Sequence, residues 1–246
     1  MSEPNFLSIL HVSDLHFSKR KSREIEIIVK ALLDDVRKIC IGYRKPDVII
    51  FSGDLVQNSD EDNPDEAFDA FIGPLLAASG CSEERVIICP GNHDASRLVI
   101  SANSDLHRKI RDALKSGDEA NFLNQEYSGQ ELNDVLNKKF ERNSELSRFL
   151  NDGSGRTEVF RSEFGSIEHI PALNLQVICL NSAAFSTAGM GGFESDNGRL
   201  AIPEYALLDI ENMLIPKIST ISVMHHPFQM MTESSAKLIE TFISKH

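Results

Sequence analysis

The stretch Pro46-Asp47-Val48-Ile49-Ile50-Phe51-Ser52-Gly53-Asp54 decides the fold class of this chain. Its apolar centre is short and bounded by polar residues, a pattern that predicts a strand buried on both faces. Such strands are typical of parallel sheets covered by helices, in which ligands collect beyond the carboxyl ends of the strands. The polar residues Ser52-Gly53-Asp54 follow the predicted strand at that end.

The same pattern occurs once before and once after this stretch. An apolar run at Phe6–Val12 ends in Ser13-Asp14-Leu15-His16, and a run at Arg85–Cys89 ends in Pro90-Gly91-Asn92-His93-Asp94. Apolar residues at helical spacing predict crossover helices between these strands. The helices are expected at Ser22–Ile41 and at about Pro64–Ala78. The order strand, helix, strand, helix, strand predicts an α/β fold with a parallel sheet.

The rest of the chain predicts a helical insertion followed by more strands. The segment at about 95–152 is polar and helix-leaning. We interpret it as an insertion on the side of the strand ends, and a solvated helical spacer is an equally good interpretation. Strands are then expected at Thr157–Phe164, Ser166–Ile170, Leu175–Leu180 and Thr220–Met224, and helices at about Pro203–Leu214 and Glu233–Ser244.

Length and charge limit the classes of protein that fit this chain. Its 246 residues, 41% of them hydrophobic, suit one large domain or two small ones with a sizeable core. The 25 basic and 37 acidic residues give a net charge of −12, which disfavours nucleic acid as a partner because proteins that follow a phosphate backbone are usually basic. The net charge alone does not exclude nucleic acid, however, because cations bound in a carboxylate-rich site would make the local electrostatic potential positive.

Sequence features also indicate the compartment. The apolar runs are too short to cross a bilayer, and Met1-Ser2-Glu3-Pro4 lacks the basic region of a secretory signal. The four cysteines lie far apart, without the spacing of a metal site, and Cys89 and Cys179 fall in predicted strands, where cysteine acts as a small hydrophobe. We therefore expect a cytoplasmic protein with no membrane partner.

Four polar groups that follow predicted strands carry the candidate chemistry. They are Asp14-x-His16, Gly53-Asp54, Gly91-Asn92-His93-Asp94 and His225-His226-Pro227. Each group alone is typical of a turn or of a structural histidine. At neighbouring strand ends, however, their carboxylates would repel one another unless cations lay between them. Oxygen and nitrogen ligands suit Mg²⁺, Mn²⁺ or Fe and also accept Zn²⁺, and two ions bridged by one carboxylate would resolve the repulsion.

The joint pattern resembles the calcineurin-like metallophosphoesterase family. The resemblance rests on Leu10-His11-Val12-Ser13-Asp14-Leu15-His16-Phe17, Ile50-Phe51-Ser52-Gly53-Asp54-Leu55, Pro90-Gly91-Asn92-His93-Asp94 and Met224-His225-His226-Pro227. Four motifs in this order make it specific, and it implies a four-layer α/β/β/α sandwich with a dinuclear metal site at one edge. The chain is also similar, through a less specific feature, to the phosphodiesterase branch of this family. The feature is Gly198-Arg199-Leu200 followed by a predicted helix.

The resemblance assigns metal-binding roles by motif position. Asp14 and His16 would bind the first ion, and Asp54 would bridge the two ions. Asn92 and His225 would bind the second ion. A hydroxide that bridges the ions would be the nucleophile. Mn²⁺ is the expected metal, with Fe, Zn²⁺ and Mg²⁺ as alternatives.

The neighbouring motif residues receive other roles from the resemblance. His93 would protonate the leaving oxygen rather than bind a metal, and Asp94 would orient its ring. His226 would pack beside the ligands or support them instead of binding an ion. Three further histidines have no motif role and are expected in the core or on the surface: His11, His107 and His169.

The family usually closes with a Gly-His-x-His motif after this last strand, and the sequence contains none. By the resemblance, each ion is therefore short of one ligand, and the C-terminal part of the second sheet is missing. We expect this chain to be the N-terminal part of a longer protein with additional C-terminal domains.

The expected function is a metal-dependent phosphohydrolase, foremost a phosphodiesterase, with a phosphate-ester substrate. One alternative is a nuclease of the same superfamily, in which Arg97, Arg108, Lys109 and Arg111 of the insertion would contact phosphates. A second basic cluster, Lys138, Lys139 and Arg142, is expected to be a solvated helix face. The other alternative is a catalytically degenerate regulatory or interaction module.

Overall fold

The computed structural model describes residues 6–117, 130–151 and 155–246, which form two β-sheets and their flanking helices. The strands are β1 Ile9–Val12, β2 Val48–Phe51, β3 Val86–Ile88, β4 Thr157–Ser162, β5 Gly165–Ile170, β6 Leu175–Leu180 and β7 Ser219–Met224. The α-helices are α1 Ser22–Gly42, α2 Pro64–Ala67, α3 Gly73–Ser79, α4 Arg97–Ala102, α5 Ser104–Ser116, α6 Gln130–Lys139, α7 Glu141–Phe149, α8 Glu204–Met213 and α9 Glu233–Lys245.

The first sheet is the parallel sheet that the sequence predicts. Its strand order is β1-β2-β3, and Ile49 of β2 lies opposite Leu10 on one side and Val86 on the other. Strands β2 and β3 are buried along their whole length, because helices cover one face and the second sheet covers the other. The three strands end at the same edge, which brings together the polar residues that follow them.

The second sheet packs against the first and completes four layers. Its order is β4-β5-β6-β7, with β4, β5 and β6 antiparallel and β7 parallel to β6. Ile50 and Ile87 of the first sheet form one hydrophobic cluster with Val177 and Cys179 of the second. Helices α1 and α3 lie on the outer face of the first sheet, and α8 and α9 on that of the second. The α/β/β/α sandwich is therefore confirmed.

Strand β1 differs from its prediction. It begins at Ile9 rather than at Phe6, and its residues alternate between exposed and half-buried instead of being buried on both faces. Among the residues that the structure describes, β1 pairs with β2 alone and is therefore an edge strand. Leu10 and Val12 still pack against the core of the first sheet, whereas Ile9 is 41% exposed.

The helix predicted at about Pro64–Ala78 is interrupted. A π-helical turn, Phe68–Ile72, separates α2 from α3, and the N–H of Gly73 donates to the carbonyl of Phe68, five residues earlier. Pro74 follows at the start of α3 and has no N–H to donate. Because a proline inside a helix also clashes with the carbonyl four residues earlier, a wider turn accommodates it here.

The helical insertion packs onto the body of the molecule and is not a solvated spacer. Arg111 of α5 donates to Asp196 Oδ1 at 2.7 Å, and Lys139 of α6 donates to the carbonyls of Ala184 and Ser186 at 2.8 and 2.6 Å. We call His107, Arg111, Lys139 and Asp196 the insertion clamp, since it ties the insertion to the segment after β6. Residues 152–154 of the predicted Gly-rich break lie outside the described residues.

The insertion clamp removes one residue from each of the two predicted basic clusters, namely Arg111 and Lys139. Arg111 and Lys139 are only 6% and 1% exposed, so neither belongs to a surface that contacts phosphates or solvent. Arg108 forms an ion pair with Asp105 on the same helix. The exposed basic patch that a nuclease would use is thus smaller than the sequence suggests.

Candidate metal centre

The polar residues predicted to bind metal meet at the carboxyl ends of the strands. Asp14 and His16 follow β1, Asp54 follows β2, and His225 follows β7. The Asp54 Oδ2 atom lies 3.7 Å from His16 Nε2 and 3.3 Å from His225 Nε2, and Asp14 Oδ1 lies 3.6 Å from His16 Nε2. The structure therefore brings together residues that are separated by up to 211 positions in the chain, from Asp14 to His225.

The backbone of this site is strained at three of the predicted ligands. Asp14, His16 and Asp54 have φ angles of 55°, 48° and 57°, in the left-handed region that non-glycine residues seldom adopt. Two backbone hydrogen bonds between the loops hold this conformation. The N–H of Asp14 donates to Gly53 O and the N–H of His16 donates to Asp54 O, both at 3.0 Å. Strain of this kind is typical of functional sites, where surrounding structure imposes it.

Two glycines allow the loops to approach one another this closely. Gly53 has a φ of +112°, and a Cβ atom there would lie 2.6 Å from His225 Nδ1. A Cβ atom on Gly91 would overlap the carboxylate of Asp54. The glycines of the Gly-Asp and Gly-Asn motifs are thus required by contact between the loops rather than by turn formation alone.

Asp54 is the residue that joins the donor atoms. It is 3% exposed, its Oδ1 accepts the backbone N–H of His93 at 2.8 Å, and its Oδ2 faces His16 and His225. Donor atoms of two groups, one of His16, Asp54 and His93 and one of Asp14, Asp54 and His225, each lie within 4.8 Å of one another. Asp54 is therefore the residue that the two groups share.

Hydrogen bonds and burial prepare these groups to bind cations. The Nδ1–H of His225 donates to the carbonyl of Ser52 at 2.8 Å, which leaves Nε2 free to face Asp54. Burial raises the pKa of Asp54, but its hydrogen bond and attraction to His225 outweigh burial and lower that pKa overall. Burial lowers the pKa of His16, whose Nδ1 is a buried atom without a hydrogen-bond partner among the described residues. An ionised carboxylate beside a neutral imidazole suits a metal ion.

The structure gives Asp94 a different role from the expected one. Its buried carboxylate accepts backbone N–H groups at 2.9 Å from Gly91, Asp54 and Leu55, and so it holds the loops after β2 and β3 together. Burial and the nearby charge of Asp54 raise the pKa of Asp94 to about 6, although these N–H bonds oppose the shift. Its two oxygens are occupied by the backbone, so the orientation of His93 has another source.

The His93 ring is oriented by Gln57, a residue that the motifs do not contain. The Nδ1 atom of His93 lies 2.8 Å from the backbone carbonyl oxygen of Gln57 and 3.1 Å from its side-chain amide nitrogen, so two groups of Gln57 hold this edge of the ring. The ring packs edge-on against His16 at 4.6 Å between centroids. Gln57 lies three residues after Asp54, and only its proximity to the Gly-Asp motif could have drawn attention to it.

The side chain of Asn92 contacts His226, the residue after His225. The Oδ1 atom of Asn92 is 3.1 Å from His226 Nε2, and the other ring nitrogen of His226 is 2.9 Å from the Ser182 hydroxyl. Burial and repulsion by His225 lower the pKa of His226 to about 4, so its ring is neutral at pH 7. His226 was expected to pack or to support a ligand, and it contacts the Asn92 oxygen. No motif around Ser182 in the sequence predicts its contact with His226.

Comparison with known proteins agrees with this geometry. The family model for calcineurin-like phosphoesterases matches residues 7–176, a range that contains the first three motifs and ends before His225. No curated protein matches the chain in a sequence comparison. No helix in the described ranges is both long and apolar enough to cross a membrane. Since the match covers well over half of the 246 residues, the chain belongs to the calcineurin-like phosphoesterase family, a family of enzymes that hydrolyse phosphate esters with the help of metal ions.

Proposed function

We propose that this chain is a phosphodiesterase with a dinuclear metal centre. The observation that carries the proposal is the position of Asp54 Oδ2, which faces nitrogen atoms of both His16 and His225. Asp14 and His16 would hold one ion, and Asp54 would bridge it to the second. Asn92 and His225 would hold the second ion. Separations of 3.3–3.7 Å between donor atoms of Asp14, His16, Asp54 and His225 support a shared cation site, because donors around one ion lie about 3 to 3.5 Å apart when each bond is about 2.1 Å. Asn92 is assigned by its motif position.

In this proposal, His93 supplies the proton for the leaving group. Its Nδ1 is held by Gln57, so its other ring nitrogen, Nε2, is the one that would deliver the proton to the leaving oxygen. The two ions, when bound, would supply a water of lowered pKa and would neutralise charge on the phosphoryl group. Asp94 contributes by fixing the loops that carry Asp54 and His93 and does not touch the substrate.

The metal, the substrate class and the location are each proposed from a separate feature of the chain. Mn²⁺ is the proposed metal because the donors are carboxylate, amide and imidazole groups, without a thiolate. A diester is the proposed substrate because Gly198-Arg199-Leu200 precedes α8 as in the phosphodiesterase branch. A cytoplasmic location is proposed from the four cysteines, all of which are free.

An assay with two substrates and two matched variants tests the proposal. The chain is incubated with Mn²⁺ and either bis(p-nitrophenyl) phosphate, a diester, or p-nitrophenyl phosphate, a monoester. We expect the diester to be hydrolysed faster and Asp54→Asn to lower that rate by about 100-fold or more, because a lost ligand costs more than a lost supporting group. Asp62→Asn is the control, since Asp62 is also buried, at 4% exposure, but lies outside the centre.

The two alternatives predict other results in the same experiment. A nuclease would bind DNA in a salt-sensitive manner and prefer it to the small diester. A degenerate module would show no Mn²⁺-dependent hydrolysis of either substrate. An equal rate in wild type and Asp54→Asn would contradict the proposed role of Asp54.

A further inference from the structure

A buried chain of hydrogen bonds leads from the turn after β6 to the metal centre. It links the Ser182 hydroxyl to His226 Nδ1 at 2.9 Å and His226 Nε2 to Asn92 Oδ1 at 3.1 Å. We propose that His226 is a positioning residue that holds the side-chain oxygen of Asn92 in place for a divalent cation. This inference rests on the proposed function, since it takes Asn92 as a metal ligand.

The Ser182 hydroxyl determines which ring nitrogen of His226 carries the proton. Its oxygen accepts the backbone N–H of His226 at 3.0 Å, and Nδ1 is the one hydrogen-bond acceptor that contacts this hydroxyl among the described residues. Because a buried hydroxyl hydrogen without an acceptor is costly, the hydroxyl donates to Nδ1. A nitrogen that accepts has no hydrogen, and the neutral ring therefore carries its proton on Nε2. His226 thus presents an N–H group to Asn92.

That N–H group selects one end of the Asn92 amide. A carboxamide can turn by half a rotation and exchange its oxygen for its NH₂ group, which has no lone pair for a cation. The NH₂ group cannot face a donating Nε2–H, so His226 specifies that the oxygen lies at this position. An amide oxygen has two lone pairs and can accept this bond while it binds an ion.

The position of Ser182 is set by the second sheet and by the insertion. Its N–H donates to the Leu180 carbonyl at 2.9 Å, directly at the end of β6. Lys139 of α6 binds the carbonyls of Ala184 and Ser186, in the same turn. Ser182 is fully buried and His226 is 5% exposed, so water does not compete for these bonds.

Metal binding by two variants of His226 tests the inference. His226→Phe keeps a planar ring but removes the N–H, and His226→Gln restores an N–H donor near the position of Nε2. Mn²⁺ binding to the whole chain is measured by isothermal titration calorimetry, and urea unfolding without metal shows that each variant is folded. We expect His226→Phe to weaken one class of Mn²⁺ site by about 10-fold or more and His226→Gln to recover most of this loss.

A double variant separates positioning from simple packing. If His226 acts through Asn92, then His226→Phe combined with Asn92→Ala binds Mn²⁺ no more weakly than Asn92→Ala alone. Wild-type affinity in His226→Phe, or equal losses in the Phe and Gln variants, would overturn the inference and leave the proposed function intact. Absence of Mn²⁺ binding in the wild type would overturn both.

Discussion

The insertion clamp and the metal centre both bury charged groups, but they satisfy them in opposite ways. In the clamp, the charges touch directly: Arg111 and Asp196 are 2.7 Å apart, and Lys139 donates to two carbonyls at 2.8 and 2.6 Å. Arg111, Lys139 and Asp196 each have their partners within the protein, whereas the two ring nitrogens of His107 lack a hydrogen-bond partner among the described residues. These contacts attach the insertion to the segment after β6.

The charged groups of the candidate metal centre lie farther apart than those of the clamp. Asp54 Oδ2 is 3.3 Å from His225 Nε2, and His16 lies 3.6 and 3.7 Å from the carboxylates of Asp14 and Asp54, which is longer than a hydrogen bond. Three of the proposed ligand residues also adopt left-handed backbone conformations, whereas the helical residues of the clamp need no such strain. The difference teaches that distance between complementary groups, rather than burial or charge alone, distinguishes a binding site from a structural ion pair.

The largest expected effect comes from breaking the clamp. Asp196→Ala removes one partner of a buried ion pair and leaves Arg111 uncompensated, so we expect the free energy of unfolding to fall by about 3–5 kcal/mol. Urea denaturation of wild type and variant measures the change. The control is Asp105→Ala, because Asp105 pairs with Arg108 at the surface, where such a pair contributes less than about 1 kcal/mol. An equal loss of unfolding free energy in both variants would show that the buried ion pair of the clamp contributes no more to stability than a surface pair.

A smaller effect concerns the pH dependence of stability. Burial, with repulsion from Lys139 and Arg111, lowers the pKa of His107 from 6.5 to about 3, and only Asp196 opposes this shift. Between these pH values the unfolded chain binds a proton that the folded chain does not, so stability falls as the pH is lowered from about 6.5 towards 3. From pH 7 to pH 5, His107 should account for a loss of about 2 kcal/mol.

The variant His107→Leu isolates this contribution. Its free energy of unfolding, measured in urea at pH 7 and pH 5, should fall by about 2 kcal/mol less than that of the wild type. His169→Leu is the control at a half-buried histidine of β5. If both variants kept the pH dependence of the wild type, His107 would not be the group that titrates.

The smallest effect is expected at the metal centre without metal. Asp14→Asn removes a charge that lies close to Asp54, so we expect metal-free stability to stay within about 0.5 kcal/mol of the wild type or to rise slightly. Added Mn²⁺ should raise the melting temperature of the wild type and of the exposed control Asp69→Asn, but not of Asp14→Asn. A large loss of stability in metal-free Asp14→Asn would mean that Asp14, like the clamp residues, is structural.

Much of the fold could be predicted from local sequence pattern. The short apolar runs before Asp14, Asp54 and Asn92 predicted three parallel strands, and the structure confirms them. The edge position of β1 could not be predicted, because the exposure of a strand depends on which neighbours pair with it. The interruption before α3 depends on Pro74, whose effect on an apolar helical pattern was overlooked.

The candidate site, like the fold, was only partly predictable from the sequence. Its residue types follow strands, and the rule that parallel strands end at one edge was enough to predict that Asp14, His16 and Asp54 meet. His225 follows a strand of the second sheet, and the family resemblance alone predicted that it joins them. The rule does not say which hydrogen bonds form there. Asp94 was therefore expected to orient His93, whereas it binds four backbone N–H groups and Gln57 contacts the His93 ring instead.

The sequence by itself determined the α/β class, the order of the motifs and the family, because each depends on residues that are close together in the chain. Only the tertiary structure decided which side chains support the ligands. Ser182 lies 44 residues from His226, and Asn92 lies 134 residues from it. No local pattern encodes such contacts, since they form only when the turn after β6 and the loops after β3 and β7 pack at one edge of the sandwich.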